Sequence, residues 1–460
     1  MREEEASGRG PSEEEIAGSD AGAGNGGPDL TLDQAMELAL GMQRNGLLEA
    51  AEEIYHRILE VAPANADAWH FLGLACHQQG RSDEAFELIR RALELAPEHA
   101  AARNNLGNML LKRGLLQEAE EAYRAVLAHH PRHVEAHTNL GTVLRRRGDL
   151  PAAEARFREA LALDPEHGEA YHQLGNLLQD TDRTDEALSV FQRALVLRPY
   201  DGDSYRRVGA VLYALGRLEE AIQVYRRWRE LEPDSPLARH LLAACSGEGV
   251  PARASDAFVQ TTFDTFAASF DRVLERLDYC APALTAEAVQ KVVGSPAGNL
   301  EVLDAGAGTG LCGPLLRPYA RRLVGVDLSA GMLKKAAERA VYDALEQAEL
   351  VGFMRERPAA FDVIVSADTL VYFGDLAEVL DAAAGALRPG GHLVFTVERA
   401  SDEPTGGHRL NPHGRYSHGE AYLRQALTTA KLTPVSLSRR QLRTENRQPV
   451  EGLVVTAQRG

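Results

Sequence analysis

Along the first half of the chain, apolar and polar positions alternate at helical spacing. Bulky residues such as Trp69, Leu72, Tyr123, Phe157, Tyr171, Leu174, Phe191 and Tyr225 mark the inward faces. The pattern also repeats. Pro63, Pro97, Pro131, Pro165, Pro199 and Pro233 stand 34 residues apart, and Ala51, Ala85, Ala119, Ala153, Ala187 and Ala221 precede them by twelve. Gly73, Gly107, Gly141, Gly175 and Gly209 hold a third fixed place in the period. Such a period predicts stacked helix pairs, in which the proline ends the second helix and the small residues sit where paired helices approach most closely. From about Pro251 the register is lost. The runs "LEVLDAG" (300–306), "RLVGVDLS" (322–329), "FDVIVSAD" (361–368) and "GHLVFTVE" (391–398) then alternate with helical patterns. That order predicts a parallel, doubly wound α/β sheet, with "LTPVSLSRR" and "GLVVTAQR" as an antiparallel hairpin at one edge.

A chain of 460 residues exceeds what one core supports, so two or more domains are expected. No apolar run reaches the length of a bilayer span, and no membrane association is expected. The first 31 residues are acidic, Gly-rich and without an apolar core, which predicts a disordered tail rather than a targeting peptide. Four scattered cysteines suit a reducing, cytoplasmic setting. A net charge of −17 argues against general nucleic-acid binding.

The 34-residue units resemble the tetratricopeptide repeat family over residues 32–235, as six units. The first unit departs from the pattern, with Ala39 where later units carry glycine. "SPLARHLLAACSG" reads as a terminal capping helix, and residues 236–257 as cap plus linker. The resemblance implies a concave groove lined by His70, Asn104, Asn108, Thr138, Thr142, His172, Asn176 and Arg206, in which a protein or peptide partner binds. Asparagine amides there match the donors and acceptors of an extended peptide, although the same residues also suit a plainly solvated face.

The stretch "EVLDAGAGTGLCGPLL" carries the chemistry. Gly308, Gly310 and Gly313 satisfy the dinucleotide spacing G-x-G-x-x-G, whereas Asp304, Gly306, Gly308 and Gly310 spell D-x-G-x-G-x-G at the end of the first strand. A pyrophosphate avoids a carboxylate such as Asp304, while a ligand bearing an ammonium and a sulfonium favours one. Asp327 ends the second strand, where a carboxylate accepts from ribose hydroxyls of either ligand. With "GVDLSAGML", "FDVIVSADTLVYF" and "ALRPGGHLVF", residues 258–460 resemble the class I methyltransferases that use S-adenosylmethionine. The whole chain is similar to bacterial tetratricopeptide–methyltransferase fusions. The resulting fold class is a helical solenoid followed by a Rossmann-like sheet with helices on both faces. The likeness implies a cofactor site of Asp304, Gly306, Gly308, Gly310, Asp327, Leu328, Met332, Glu349 and Asp368, with Glu349 where the family usually has an aspartate facing the adenine. It also implies an N-terminal lid carrying Phe263, Phe266 and Phe270.

The segment after the fourth strand reads Ser366-Ala367-Asp368-Thr369, which disfavours exocyclic-amine and amide acceptors. The loop "GGHRLNPHGRYSHGEAYL" supplies the catalytic candidates His413, His418 and Tyr416, with a histidine as general base. Its histidines share no helical face and no cysteine joins them, so no metal is expected. Ser417 and Glu420 read as a helix capping box. The motifs do not name the acceptor. Two other readings compete with a methyltransferase: a repeat scaffold with a vestigial cofactor domain, and an NAD(P)-dependent oxidoreductase.

Overall fold

The computed structural model describes residues 30–460 apart from 268, 446 and 447. The tail expected over residues 1–31 therefore lies outside the described residues, save Leu30 and Thr31. The chain forms two compact units, one up to Gln173 and one from Leu174 onward. The helices of the repeats are α1 (Leu32–Arg44), α2 (Leu48–Val61), α3 (Ala66–Gln78), α4 (Ser82–Leu95), α5 (Ala100–Lys112), α6 (Leu116–His129), α7 (Val134–Arg147), α8 (Leu150–Leu163), α9 (Gly168–Asp180), α10 (Thr184–Leu197), α11 (Gly202–Ala214), α12 (Leu218–Leu231) and α13 (Pro236–Ser246). Thr31 opens α1 through a capping box: its hydroxyl accepts from the Gln34 N–H, and the Gln34 side chain accepts from the Thr31 N–H.

The repeat period has a steric cause. In the first unit a Cβ on Gly107 would lie 2.6 Å from the Tyr123 ring, and one on Gly141 2.5 Å from the Phe157 ring. In the second, Gly175 meets Phe191 at 2.5 Å and Gly209 meets Tyr225 at 2.3 Å. Each glycine is the hole for the large residue of the helix that follows it, and the two positions keep one spacing from repeat to repeat. Tyr55, Leu72 and Ile89 are fully buried in the same way.

The groove asparagines are already engaged between helices. In the first unit Asn139 donates to Asn104 at 3.2 Å, and Tyr123 donates to Asn108 at 2.7 Å. In the second, Arg207 donates to Asn176. The open amide ladder expected for a peptide is thus largely spent on helix-to-helix bonding.

In the second unit α14 (Asp256–Phe266), α15 (Phe270–Arg276) and α16 (Ala281–Val293) precede the sheet, and α17 (Gly313–Leu316), α18 (Ala330–Glu338), α19 (Leu350–Arg355), α20 (Ala377–Ala386) and α21 (Glu420–Thr429) follow in turn. The strands are β1 (Leu300–Ala305), β2 (Ala320–Asp327), β3 (Ala344–Gln347), β4 (Phe361–Ser366), β5 (Leu387–Arg399), β6 (His408–Leu410), β7 (Tyr416–His418), β8 (Leu432–Glu445) and β9 (Gln448–Arg459). Strands β3-β2-β1-β4-β5 are parallel, with the order reversing between β1 and β4. The expected edge hairpin is β8–β9, with β9 antiparallel to β5. Leu303, Val324, Ile364 and Leu393 face a core closed by α19, α20 and α21, whereas Val302, Leu323, Val363 and Val394 face α16 and α17. Burial on both faces explains why these strands read as nearly unbroken apolar runs.

Two local expectations are corrected. The acceptor loop is a hairpin, β6–β7, and β7 extends the sheet by pairing parallel with the end of β5 at Glu398 and Arg399. The capping box at Ser417 and Glu420 does not form: Gly419 caps α21, Ser417 belongs to β7, and Glu420 pairs with Arg439 at 2.6 Å. The β5 pairing outcompetes the local cap.

The cap-and-linker segment expected over residues 236–257 is built into the second unit. Ala243 and Ala244 of α13 share a core with Leu410 and Tyr416, His240 donates to the Gly414 carbonyl at 2.8 Å, and Tyr416 donates to the Pro251 carbonyl at 2.7 Å. A fragment of residues 252–460 would leave Leu410 and Tyr416 uncovered. It is expected to melt at a lower temperature than residues 236–460, by several degrees for about 1–2 kcal/mol of lost burial. Matching melting curves for the two fragments would mean that α13 contributes nothing to this unit.

Candidate active site

The carboxyl ends of β1, β2 and β4 open on one cavity, of about 960 Å³ with its mouth included. This is where strand order reverses, and the crevice is a consequence of that reversal. The turn after β1 is held tight because the N–H groups of Gly306 and Ala307 both donate to the Val326 carbonyl at 2.9 Å. Gly306 has φ of 81°, and a Cβ there would lie 2.0 Å from the Thr369 hydroxyl. Gly308, φ 53°, has nothing within 4 Å of its Cβ position and lines the cavity.

Asp327 lies at the end of β2 with its carboxylate between two backbone donors, Gly308 N–H at 2.8 Å and Ser329 N–H at 2.9 Å. Burial raises its pKa, and those hydrogen bonds oppose the rise. Each carboxylate oxygen keeps a further lone pair for a ligand hydroxyl. Leu328, Met332, Ala348, Glu349 and Leu350 continue the wall. Glu349 caps α19, accepting from Val351 N–H at 3.1 Å and Gly352 N–H at 2.7 Å. Two other members of the expected cofactor set stand behind the wall. Gly310 packs against Ala336 and Tyr342, and Asp304, 1% exposed, accepts from the Tyr342 hydroxyl at 2.6 Å. Burial pushes the Asp304 carboxyl up to about 7, the Tyr342 hydrogen bond opposes this and the charge of Asp327 adds to it.

The segment expected as a lid, α14 and α15, is fastened by two aspartates that the sequence alone did not single out. Asp264 accepts from the Ser329 hydroxyl at 2.5 Å and from Gly331 N–H at 3.2 Å. Asp271 accepts from the Thr309 hydroxyl and from Arg339, each at 2.5 Å. The repeated pair Phe263-Asp264 and Phe270-Asp271 was the available signal, each phenylalanine entering the cavity while its neighbour clasps the rim. Phe266, by contrast, is exposed. Cys312 lines the cavity as a buried thiol, which burial pushes well above its usual pKa.

Asp368 follows β4 with φ of 53° and forms part of the cavity wall. It accepts from Arg443 at 2.6 Å and from the Thr396 hydroxyl at 3.2 Å. Arg443, 3% exposed, also pairs with Glu398 and with Glu445, and Arg415 joins the same two glutamates, each at 2.6 Å. Against burial, the two arginines bring Glu445 down to about 2.

The three catalytic candidates do not line the cavity. His413 lies 3.5 Å from Glu398, and burial together with the charge of Arg415 pushes it down to about 4. Tyr416 is fully buried on the Pro251 carbonyl. His418, also fully buried, donates to the Gly374 carbonyl at 3.1 Å, and its Nδ1 has no partner among the described residues. The strand pairing of β7 turns Tyr416 toward the Pro251 carbonyl and His418 toward the 374 turn.

The fold and site define a helical-repeat protein joined to a methyltransferase domain. Residues 31–265, just over half of the chain, match the family described as Cilia and flagella-associated protein 70 C-terminal domain, and the chain belongs to that family. Residues 303–393 match the family described as Methyltransferase domain. Among relatives, a "Ubiquinone biosynthesis O-methyltransferase" of Xylella fastidiosa is 32% identical over 110 residues, covering 23% of this chain and 44% of its own length. A "Probable S-adenosylmethionine-dependent methyltransferase" of Mycolicibacterium smegmatis is 32% identical over 134 residues, covering 28% and 51%. The chain thus spans about half the length of these relatives. A solved structure from a functional characterization of Pseudomonas aeruginosa pilF aligns with 46% of this chain and 96% of its own, at 20% identity and a TM-score of 0.41.

Burial holds His418 neutral, down to about 4, against the opposing backbone hydrogen bonds at Gly374 and Phe373. Its folded pKa lies below its unfolded one, so its contribution to stability is complete above pH ~6.5 and is lost as pH falls toward 4. Between pH ~7 and ~5 the wild type should lose on the order of 2 kcal/mol more than His418→Gln, which keeps a donor for Gly374. Urea unfolding at both pH values checks this, and identical pH dependence in the two proteins would contradict a buried neutral histidine.

Proposed function

We propose that the chain is an S-adenosylmethionine-dependent methyltransferase whose repeats recruit a protein partner. The observation that carries this is the half-buried Asp327 carboxylate, set against the open Gly308 cradle at the floor of the cavity. The residues present fit that cofactor better than a dinucleotide. The third glycine of the dinucleotide spacing, Gly313, is filled from outside by the Tyr342 ring, 2.7 Å from its Cβ position. The helix behind it, α17, has four residues, too few to offer a pyrophosphate the aligned amides it needs.

S-adenosylmethionine supplies a methyl group on a sulfonium, an electrophile that needs no redox partner. The chain's own residues then have three tasks. Asp327 holds the ribose diol, and Leu328 and Met332 flank the adenine with Glu349 at its edge. Gly306 and Gly308 let the backbone approach the methionine portion. Phe263 and Phe270, clasped through Asp264 and Asp271, keep the chamber dry and the reactants aligned, which is the larger part of catalysis for an in-line displacement. The relatives' methyltransferase names support this reading. With Asn104, Asn108 and Asn176 spent between helices, recruitment rests on the shape and charge of the repeat surface.

Calorimetry with S-adenosylhomocysteine is expected to show binding, and Asp327→Ala should weaken it by about 1.5–3 kcal/mol. Binding of NAD without binding of S-adenosylmethionine would overturn the assignment.

A further inference from the structure

We propose that His240, at the end of the repeats, is a positioning residue for the cavity: by holding the β6–β7 turn from the side of α13 it fixes Asp368 in the cavity wall. The identity of the cavity's ligand rests on the methyltransferase reading, whereas the link from His240 to the wall does not.

The 34-residue period shows what His240 is. His70, Asn104, Thr138, His172 and Arg206 are expected groove residues at one place in the period, and the next member of that series is His240. Ala244 likewise continues the series of Asn108, Thr142 and Asn176. By this register α13 is the first helix of a further unit, and the chain then runs on into α14 in place of the second helix. The groove positions of α13 are filled by residues 410–416 of the same chain. His240 Nε2 donates to the Gly414 carbonyl at 2.8 Å, and the Cys245 thiol lies 3.8 Å from the Pro412 carbonyl. Ala243 and Ala244 pack against Leu410 and Tyr416. Side chains of α13 thus hold the carbonyls of a turn as a groove holds those of a bound peptide.

From Gly414 the constraint passes to the next residue in the chain. Arg415 pairs with Glu398 at 2.6 Å, Glu398 pairs with Arg443, and Arg443 pairs with Asp368 at 2.6 Å. Each of these groups is buried or half-buried, so a shift of one is not absorbed by water: it leaves a partner unpaired where an unpaired charge is most costly. Asp368 has little slack of its own. Its φ is 53°, and its N–H donates to the Thr396 hydroxyl at 2.8 Å. Asp368 also lines the cavity and belongs to the expected cofactor set, so its placement is read by the ligand. The His240 ring has a second contact, with the Phe258 ring of α14 at 3.9 Å between centroids, and that contact needs no donor.

The test uses the full chain and two variants that separate the donor from the packing. His240→Gln keeps a donor for Gly414, and His240→Leu keeps an apolar contact for Phe258 without a donor. Calorimetry with S-adenosylhomocysteine is expected to show binding weakened about tenfold in His240→Leu and kept within about threefold of the wild type in His240→Gln. An effect that reaches the cavity through Asp368 must fade when Asp368 is changed. In the background of Asp368→Asn, whose side chain tolerates the same backbone conformation, His240→Leu should alter the Kd by less than about twofold. A role confined to general packing would give the same factor in both backgrounds.

Hydrogen exchange adds a measurement that needs no variant. Because coupling is reciprocal, S-adenosylhomocysteine bound to the wild type should slow exchange at residues 411–416, which lie outside the cavity wall, by about threefold or more. With no ligand present, His240→Leu should speed exchange at residues 366–373 and leave β2 at its wild-type rate. The proposal is overturned by wild-type affinity in His240→Leu, by equal losses in the leucine and glutamine variants, by the same factor in both backgrounds, or by exchange at 411–416 that ignores the ligand. Failure of S-adenosylhomocysteine to bind the wild type would instead bring down the methyltransferase reading, and exchange at 366–373 in ligand-free His240→Leu would then decide the positioning role by itself.

Discussion

A guanidinium with almost no access to water, that of Arg443, is the constraint around which the second unit is organised. Leaving such a charge unpaired would cost several kcal/mol, so carboxylates must come to it with good geometry. They come from different places: Asp368 from the end of β4, Glu398 from β5 and Glu445 from β8. Glu398 and Glu445 in turn need Arg415, which draws in the β6–β7 turn. One buried cation thereby sets the position of the cavity wall, the hairpin beside it and the pairing of β7 with β5. The same pairing takes His413, Tyr416 and His418 out of reach of the cavity.

The network passes its constraint on to the end of the repeats. The turn that carries Arg415 accepts a hydrogen bond at Gly414 from His240 of α13, and the His240 ring lies 3.9 Å from the ring of Phe258 in the lid helix. The connecting segment is pinned as well: Ala254 N–H donates to the Tyr372 carbonyl at 2.8 Å, and the Ala252 carbonyl accepts from Gly374 and Asp375. Arg253 also forms an isolated antiparallel bridge with Phe373, so the segment ahead of α14 is tied to the 372–375 turn rather than loose. Burial of apolar surface between α13 and the hairpin, together with these backbone bonds, makes the terminal repeat helix part of the second unit's own packing.

Around the cavity, two kinds of precision meet. The glycine positions are steric: Gly306 admits Thr369 where any side chain would collide, and Gly310, at φ 80°, packs tightly against Tyr342 and Ala336. The attachment of α14 and α15 is electrostatic, with Asp264 and Asp271 each taking two hydrogen bonds from the rim of the pocket. Charge-assisted bonds of this kind are short and directional.

Much of this architecture is legible in the residues alone, because it depends on local periodicity. The helix pairs, the glycine holes, the parallel strands, the edge hairpin and the position of Asp327 all follow from spacing within one or two elements. Elements that depend on partners far along the chain were not legible. Ser417 and Glu420 satisfy a helix cap in sequence, yet a strand hydrogen-bonded to β5 outweighs a single cap. Leu442 and Arg443 are adjacent and both buried, because an irregularity between Gln441 and Arg443 breaks the two-residue alternation of β8. By itself the sequence determined which segments become helices and strands and which glycines must stay small, since those are decided by backbone geometry and neighbouring side chains. Only the tertiary structure decided which titratable groups face the cavity, because a buried charge is placed by the partners that neutralise it, and for Arg443 these include Glu398, 45 residues away, and Asp368, 75 residues away.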